Sequence, residues 1–493
     1  MIIKKTQDEI QNFLTDASNF KGSCDAVYFP DNENEIAEII IEANRSKTPV
    51  TIAGNGTGLT GARVPQTGIV ISTEKLNKIL EINSEQKFAA VEPAVILADL
   101  QNKVKEKNLF YPPDPTETNC FIGGTIATNA SGAKTFKYGA TRNFIEELNI
   151  ILPTGEWLKL KRGGCKADQN ILELKTESNK IITLKLPAYK MPLTKNASGY
   201  FVKDGMDAID LFVGSEGTLG IITKAKLRLL PLPEKVISCV VFFNDETAAF
   251  NFLDTARSLS FEARDNNSKN EIDALALEFF DEHSLKFLSA DFQNIPRDAK
   301  AAIWFEQEAD SASEEIQINK WLDLINKNNG NAETAWFAFT ENDKSKIREF
   351  RHAISWKVNE YIAKNNLRKL GTDVAVPDKF FRQFFASSKK LVQNAEIDFV
   401  VYGHFGNSHM HLNMLPKNKN EFETGKNIYH AICIAAINHG GTISAEHGVG
   451  KIKTDYLLEM YGRETISKMF EIKKTLDPNL ILGRGNIFGQ SIK

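Results

Sequence analysis

The stretch that decides the fold runs from Val91 to Arg142 and reads VEPAVILADLQNKVKEKNLFYPPDPTETNCFIGGTIATNASGAKTFKYGATR. Its second half combines stiff prolines with small residues and the adjacent glycines Gly123 and Gly124. The small side chains of residues 125–133 lack the bulk of a packed core strand, so a flat polar ligand is expected to supply the missing volume. Free backbone N–H groups there would hold a pyrophosphate. A Gly/Ser/Thr-rich surface loop is the alternative interpretation.

Length, composition and charge indicate a globular protein of two or three domains. The 493 residues exceed one simple core, and 42% hydrophobic and 25% charged residues are ordinary values. A net charge of −3 gives no electrostatic case for a nucleic-acid partner. Five cysteines without CxxC spacing argue against a disulfide framework or an iron–sulfur cluster and fit a reducing cytoplasm. No signal peptide is expected, and no apolar run approaches the roughly 18 residues of a membrane span.

Residues 53–72, AGNGTGLTGARVPQTGIVIS, contain the dinucleotide-binding pattern GxGxxG. In a doubly wound fold, a helix follows the third glycine of that pattern. Here only ARVPQTG separates Gly61 from the strand predicted at 69–72, and Pro65 lies within that short segment. The glycines are therefore predicted to form a phosphate-binding turn between two strands, in a domain that is not doubly wound.

Hydrophobic periodicity predicts the remaining elements. In the first half of the chain it predicts helices at 31–47 and 96–107, a strand at 88–92, and a hairpin of 146–152 with 157–160. Residues 161–196 are predicted to be an irregular surface excursion. From about residue 237, strands and helices alternate without glycine-rich loops, which predicts an antiparallel sheet covered by helices on one face.

Histidines concentrate near the end of the chain, where six of the eight lie within residues 404–447. A bend predicted at 406–408 would return His404 to the face of the following strand that carries His409 and His411. Imidazoles that converge in this way suit a divalent metal.

Seven motifs occur in the order of one family: AGNGTGLTGARVP, FYPPDPT, IGGTIATNASGAKTFKYGATR, LFVGSEGTLGIIT, GHFGNSHMHLN, AEHGVG and LDPNLILGRGNIF. The chain resembles the FAD-dependent D-2-hydroxy-acid dehydrogenases (D-lactate and D-2-hydroxyglutarate dehydrogenases and glycolate oxidase flavin subunits), which are vanillyl-alcohol-oxidase-like flavoproteins. The resemblance implies an α+β fold with a two-subdomain FAD-binding domain at 20–232 and an antiparallel-sheet substrate domain at 233–400. A C-terminal segment, 401–493, would return to the flavin and carry the metal site.

The resemblance also assigns the FAD contacts. The residues that would wrap the pyrophosphate are Gly54, Asn55, Gly56, Thr57, Gly58 and Leu59. Those that would line the flavin and ribityl are Pro113, Gly123, Gly124, Ala127, Thr128, Asn129, Gly132, Tyr138 and Gly139. Those on the adenosine side are Glu216, Gly220 and Ile222, with Asn486 completing the pocket near the ring. Covalent relatives attach FAD through His or Cys in the first glycine loop (residues 54–61), which has neither here, so FAD is expected to be non-covalent.

For the metal site, the resemblance implies His404, His411 and Glu446 as ligands of Zn or Mn, and His447 as the catalytic base. On an extended segment Glu446 would point to the metal and His447 to the flavin, whereas an exposed polar loop is the alternative. His409 stands where some relatives carry asparagine, as an extra polar contact or a fourth ligand.

Arg351 matches a substrate-carboxylate arginine, and Ser355 lies one turn later on the same helix face. An exposed helix charge is the alternative for Arg351. The implied reaction is metal-assisted oxidation of a D-lactate-like 2-hydroxy acid to the 2-keto acid, with hydride transfer to flavin N5. Relatives selective for D-2-hydroxyglutarate carry lysine at the position of Gly371, two residues before Asp373; Arg368 or Lys369 are the candidate substitutes.

Two other functions remain open at this stage. One is FAD-dependent alkyl transfer without net redox, as in the ether-lipid synthases of the same superfamily. The other is an FAD-binding subunit of a larger glycolate-oxidase-like complex. The electron acceptor is open among a quinone, an electron-transfer flavoprotein and a cytochrome. A homodimer is allowed, and the expected location is the cytoplasm, with peripheral contact to the inner membrane left open.

Overall fold

A computed structural model describes residues 1–268, 270–365 and 367–489. Its strands, in chain order, are β1 (Ile2–Lys4), β2 (Ala26–Phe29), β3 (Val50–Ala53), β4 (Ile69–Ser72), β5 (Ile79–Asn83), β6 (Phe88–Val91), β7 (Leu109–Phe110), β8 (Ile145–Ile151), β9 (Trp157–Lys161), β10 (Ile171–Lys175), β11 (Ile181–Lys185), β12 (Ile221–Arg228), β13 (Leu230–Pro231), β14 (Lys235–Phe243), β15 (Ala274–Asp281), β16 (Ala301–Ala309), β17 (Asn331–Phe337), β18 (Leu370–Gly371), β19 (Val374–Ala375), β20 (Phe399–Gly403) and β21 (His409–Met414). Its helices are α1 (Gln7–Ile10), α2 (Glu33–Ser46), α3 (Leu97–Lys105), α4 (Ile122–Thr128), α5 (Thr135–Tyr138), α6 (Ala208–Phe212), α7 (Glu246–Asp265), α8 (Glu282–Leu288), α9 (Glu314–Lys327), α10 (Glu341–Lys364), α11 (Asp378–Asn394), α12 (Lys419–Asn438) and α13 (Thr454–Leu476).

The first sheet has the order β1-β2-β4-β3, in which β2 and β3 both run parallel to β4. Helix α2 packs on it through the apolar stripe read from the sequence, and the Asn32 side chain caps this helix by accepting from the Glu35 N–H. Strands β3 and β4 are joined by the first glycine loop and residues 62–68, with no helix between them. The prediction of a glycine turn instead of a doubly wound unit is therefore confirmed.

The second sheet is antiparallel, in the order β5-β6-β12-β8-β9, and contains the predicted hairpin of β8 and β9. The prediction that residues 161–196 are irregular was wrong in part, because β10 and β11 pair there as a hairpin. Leu172, Leu174 and Leu184 of this hairpin are buried in the core of the domain. Buried and exposed residues alternate along this segment as they should in a strand. Each strand, however, is only five residues long and is flanked by lysines and glutamates.

Gly123 and Gly124 lie in helix α4, which also includes residues 125–128 of the small-residue stretch, and the two glycines differ in their surroundings. A Cβ on Gly123 would lie 2.7 Å from Pro93 Cβ, so this glycine permits close packing of helix on chain. A Cβ on Gly124 would meet nothing within 4 Å, because this side of the helix faces a cavity. The open space expected beside the stretch is present, and both glycines line it.

The third sheet has the order β17-β14-β16-β15-β20-β21-β18, with β19 also pairing to β21, and all its pairs are antiparallel. The prediction that helices cover one face was wrong. Val241 of β14 packs in a core with α7, α9 and α11, whereas its neighbour Val240 packs in another with α8 and α10. The almost continuous apolar run of β14 is the signature of a strand buried on both faces.

The C-terminal segment returns to the first sheet. The Val50 N–H donates to the Ile481 carbonyl at 2.8 Å, and the Gly483 N–H donates to the Val50 carbonyl at 2.9 Å. The division at 232/233 and 400/401 stays a prediction, and β20 spans the second of these points. Across the described ranges, none of the helices combines the length and apolar character needed to cross a bilayer.

Candidate active site

A cavity of about 1100 Å³ is lined both by the first glycine loop and by a group of histidines and acids from the third sheet. This volume lies slightly above the usual range of about 300–1,000 Å³ for ligand pockets. Helix α4 and the turn before β12 supply small residues to its wall, and α10 supplies Arg351 and Ser355. One cavity therefore joins the two regions that the sequence suggested separately.

The first glycine loop presents its backbone to this cavity. In the described part of the chain, no protein acceptor is found for the N–H groups of residues 55–60. The Arg63 guanidinium braces the loop by donating to the Gly54 carbonyl at 2.8 Å, and it stacks over the Phe13 ring at 5.1 Å. Free N–H groups beside a half-buried cation fit an anionic group such as a pyrophosphate, so these residues suit a dinucleotide cofactor.

Most of the predicted cofactor residues line the cavity, namely Gly54, Asn55, Gly56, Thr57, Gly58, Leu59, Gly123, Gly124, Ala127, Thr128, Glu216, Gly220 and Ile222. Six others are not on its surface: Pro113, Asn129, Gly132, Tyr138, Gly139 and Asn486.

Two of these six residues, Asn129 and Asn486, support the wall of the cavity from behind. Asn129 ends α4 in a left-handed conformation, and its side chain accepts from the Arg142 N–H at 3.0 Å. The Asn486 amide donates to the carbonyls of Ala62 and Glu216 at 2.9 and 3.0 Å. These two asparagines therefore support the wall, a placement that short motifs do not reveal.

The histidines are positioned by the turn between β20 and β21. His404 follows Gly403, a short 3₁₀ turn comes next, and Ser408 has a positive φ of 51° that starts β21. Met410 packs in the core on one face of β21, while His409 and His411 lie on the other. The predicted bend and the predicted polar face of this strand are both confirmed.

His404, His409, His411 and Glu446 each place one possible ligand atom within 4.8 Å of all the others. His404 Nε2 lies 3.1 Å from Glu446 Oε1, and His411 Nε2 lies 3.8 Å from Glu446 Oε2. Burial alone would raise the pKa of Glu446, but His404 and Lys195 outweigh it and hold that pKa well below its ordinary value. An ionised carboxylate beside imidazole nitrogens is a donor set that fits a divalent metal.

Glu278 connects this group to Arg351. Its Oε1 lies 2.7 Å from His404 Nδ1, and its Oε2 accepts from the Arg351 guanidinium at 3.1 Å. The same guanidinium donates to the Thr116 hydroxyl at 2.6 Å. Burial would raise the pKa of Glu278, but His404 and Arg351 together lower it to about 2. The exposed-charge alternative for Arg351 is wrong, because its side chain is only 9% exposed.

Asp373 organises the segment that contains Glu446 and His447. Its carboxylate accepts from the backbone N–H groups of both residues, at 3.2 and 3.1 Å, and from His447 Nδ1 at 3.1 Å. The expectation of an extended segment was therefore wrong: the chain bends here, and both side chains line the cavity. The His447 ring stacks beside the His411 ring, with centroids 5.7 Å apart.

Two buried charged residues at this site were not singled out from the sequence. The Lys195 ammonium contacts Glu446 and the Gly132 carbonyl, although it lies in the segment predicted to be a surface excursion. Glu278 lies in the middle of the buried strand β15, and an ionisable residue flanked on both sides by apolar residues was a signal that could have found it. Lys195 gave no such signal, because its neighbours are polar.

Together the fold and the cavity define a class of protein, an α+β enzyme that holds a dinucleotide-like cofactor beside buried histidines and acids. Comparisons with known proteins make this class specific. Residues 24–161 match the family described as "FAD binding domain", and residues 232–487 match "FAD linked oxidases, C-terminal domain". The chain belongs to the FAD-linked oxidases and is an oxidoreductase with an FAD-binding domain.

Named relatives cover nearly all of the chain. It is 30% identical over 476 residues to the glycolate oxidase subunit GlcD of Bacillus subtilis, covering 95% of this chain and 90% of the relative. It is 29% identical to a D-lactate dehydrogenase of Anaerostipes hadrus (92% and 87% covered) and 28% identical to a D-2-hydroxyglutarate dehydrogenase of Stutzerimonas stutzeri (98% and 97% covered). A solved alkyldihydroxyacetonephosphate synthase shares the fold, with a TM-score of 0.67 and 16% identity over 98% of this chain and 82% of that one.

Proposed function

We propose that the protein oxidises a D-2-hydroxy acid of the D-lactate type to the 2-keto acid, with non-covalent FAD as electron acceptor and a divalent metal, Zn or Mn, held by His404, His411 and Glu446. The observation that carries this proposal is the single cavity lined by the first glycine loop, by this ligand set and by Arg351. Three groups that such a reaction needs therefore share one space. The relatives named D-lactate dehydrogenase and D-2-hydroxyglutarate dehydrogenase support the substrate class.

Arg351 binds the substrate carboxylate. A guanidinium has five N–H donors. One N–H group of Arg351 bonds to Thr116, and one on the other terminal nitrogen bonds to Glu278. The remaining donors are available for a carboxylate in the cavity. Ser355, one turn further along α10, lines the same cavity and donates to the Tyr402 hydroxyl at 3.2 Å.

His447 takes the proton of the substrate hydroxyl at Nε2. Asp373 holds the Nδ1 side of the ring at 3.1 Å, which leaves Nε2 free to accept a proton. A bound metal would supply Lewis acidity that makes the hydroxyl easier to deprotonate. Bound FAD would supply the two-electron acceptor for oxidation of the C2–H bond.

The surroundings of residue 371 support a small substrate. A Cβ on Gly371 would lie 2.3 Å from Asn413 Oδ1, so the lysine of relatives selective for D-2-hydroxyglutarate would fit here only if the buried Asn413 side chain moved. Arg368 and Lys369 line the cavity nearby, and the Lys369 ammonium donates to Asn359 Oδ1 at 3.3 Å. These exposed cations are the candidates to bind a second substrate carboxylate, so larger 2-hydroxy acids are tested beside D-lactate.

The test is anaerobic mixing of the purified protein with a panel of D- and L-2-hydroxy acids, followed by the visible absorbance of the flavin. D-lactate or a close analogue is expected to bleach the flavin, and its L-enantiomer is expected to leave it oxidised. A protein whose flavin no 2-hydroxy acid bleaches, with or without added Zn²⁺ or Mn²⁺, would overturn the proposal.

Two rival functions predict different outcomes. An alkyl-transfer enzyme would keep its flavin oxidised with every 2-hydroxy acid, and the likeness to the alkyldihydroxyacetonephosphate synthase supports that rival only at the level of the fold. A subunit of a glycolate-oxidase-like complex would be inactive alone and co-purify with an iron–sulfur partner. Turnover with a quinone analogue, an electron-transfer flavoprotein or a cytochrome identifies the electron acceptor. We place the protein in the cytoplasm.

A further inference from the structure

Three histidines of the site share one arrangement of hydrogen bonds. In each ring one nitrogen faces a protein oxygen: His404 Nδ1 lies 2.7 Å from Glu278, His411 Nδ1 lies 3.0 Å from the Thr372 carbonyl, and His409 Nε2 lies 3.0 Å from Asp373. A metal-binding histidine donates its other ring N–H to a carboxylate or carbonyl, which orients the ring and fixes the tautomer. All three rings meet this description.

His409 is the ring whose second nitrogen has no other role. Its side chain is fully buried, and its Nδ1 atom has no hydrogen-bond partner among the residues that the structure describes. An unpaired polar atom inside a protein is destabilising, so such an atom at a ligand site calls for a partner. His404 and His411 both direct Nε2 toward Glu446, and His409 is close to both, with ring centroids 5.2 and 4.3 Å away.

We propose that His409 Nδ1 is a fourth protein ligand, so that the metal site consists of three imidazole nitrogens and one carboxylate. This inference rests on the proposed metal-dependent function and refines it. Three imidazoles favour a borderline cation such as Zn²⁺ over Mn²⁺ or Mg²⁺, which prefer oxygen ligands.

The experiment compares His409→Asn with the wild type after metal removal with a chelator, keeping FAD bound. Zn²⁺ and Mn²⁺ are each titrated in competition with a chromophoric chelator. The dissociation constant for Zn²⁺ is expected to rise about 10-fold or more, since a direct ligand should matter at least as much as the outer partners of ligands, whose loss costs 10–100-fold. The constant for Mn²⁺ is expected to change less, because the amide oxygen of asparagine suits that ion.

His283→Asn is the matched control, since His283 is exposed and its ring packs on Phe399 outside the site. It is expected to leave both dissociation constants unchanged. X-ray absorption of the Zn²⁺-loaded wild type provides a measurement that needs no variant to fold, and it is expected to count three imidazoles around the metal.

Two results would refute the role of His409 and leave the proposed function standing. One is an X-ray absorption count of only two imidazoles around the metal in the wild type. The other is unchanged Zn²⁺ affinity in His409→Asn while His404→Ala loses the metal. A wild type that binds neither ion above background would instead overturn the metal site itself, and with it both proposals.

Discussion

Replacing Glu278 with glutamine keeps the shape of this side chain and removes its negative charge. The carboxylate lies fully buried between His404 Nδ1 and the Arg351 guanidinium, and both neighbours are donors to it. A glutamine has one oxygen and one NH₂ group, so it can accept on one side only. If its oxygen faces Arg351, His404 must carry its proton on Nε2 and loses the lone pair that would bind the metal. If its oxygen faces His404, the NH₂ group opposes the guanidinium.

The size of the effect follows from these contacts. Losing an outer partner of a metal-binding histidine costs about 10–100-fold in metal affinity, or about 1.4–2.7 kcal/mol. Leaving a buried charge without its partner costs about 3–5 kcal/mol of stability. We therefore expect Glu278→Gln to raise the dissociation constant for Zn²⁺ by about 10–100-fold, to lower the thermal midpoint, and to raise KM because Arg351 is less firmly held.

The assay is a Zn²⁺ competition titration of chelator-treated protein, with thermal unfolding measured on the same samples. Asp281→Asn is the matched control, because Asp281 is a fully buried acid on the same strand whose Oδ1 accepts only from the N–H groups of Ser284 and Val401, at 2.8 and 3.0 Å. It is expected to lose stability but to keep its Zn²⁺ affinity. A Glu278→Gln protein with Zn²⁺ affinity within about 3-fold of the wild type would refute the coupling of Glu278 to the metal site.

Three further predictions address the cofactor, the assignment of roles and acid stability. Acid precipitation is expected to release free FAD, because the first glycine loop has no His or Cys; flavin retained by the precipitated polypeptide would contradict this. His447→Ala is expected to lower kcat by about 10²–10⁴-fold with full metal content by plasma mass spectrometry, whereas Glu446→Ala is expected to lose metal; the opposite pattern would reverse the two roles. Burial would raise the pKa of Asp373, but His447 and Lys453 hold it well below its ordinary value. The unfolded chain therefore protonates this group first, and its stabilising contribution is present above about pH 4 and lost on further acidification. In thermal melts Asp373→Asn should be less stable at neutral pH and should lose less stability below about pH 4; an equal acid-induced loss in both proteins would count against this.

Local patterns predicted the parts of the site that lie on single elements. Too few residues follow Gly61 to form a crossover helix, so the type of turn could be recognised from the sequence. The alternation of β21 placed His409 and His411 on the face away from Met410, because side-chain direction in a strand has a period of two. Such inferences succeed because they depend on covalent geometry and neighbouring residues.

The partners of these side chains could not be predicted in the same way. Glu278 and His404 are 126 positions apart in the chain, and Lys195 and Glu446 are 251 apart. The bend at Glu446 and His447 depends on Asp373, which comes from another segment and accepts from both backbone N–H groups. No local periodicity encodes contacts of this kind.

The sequence by itself determined which chemistry the protein carries: a glycine loop suited to a dinucleotide, a cluster of histidines, and motifs in the order of the FAD-linked oxidases. Only the tertiary structure decided how those groups are held. It placed Glu278 between His404 and Arg351, and it buried the Nδ1 atom of His409 with no partner in the described part of the chain. The physical reason is that residue type sets what a side chain can donate or accept, whereas burial and the choice of partner depend on strands and loops from distant parts of the chain packing together.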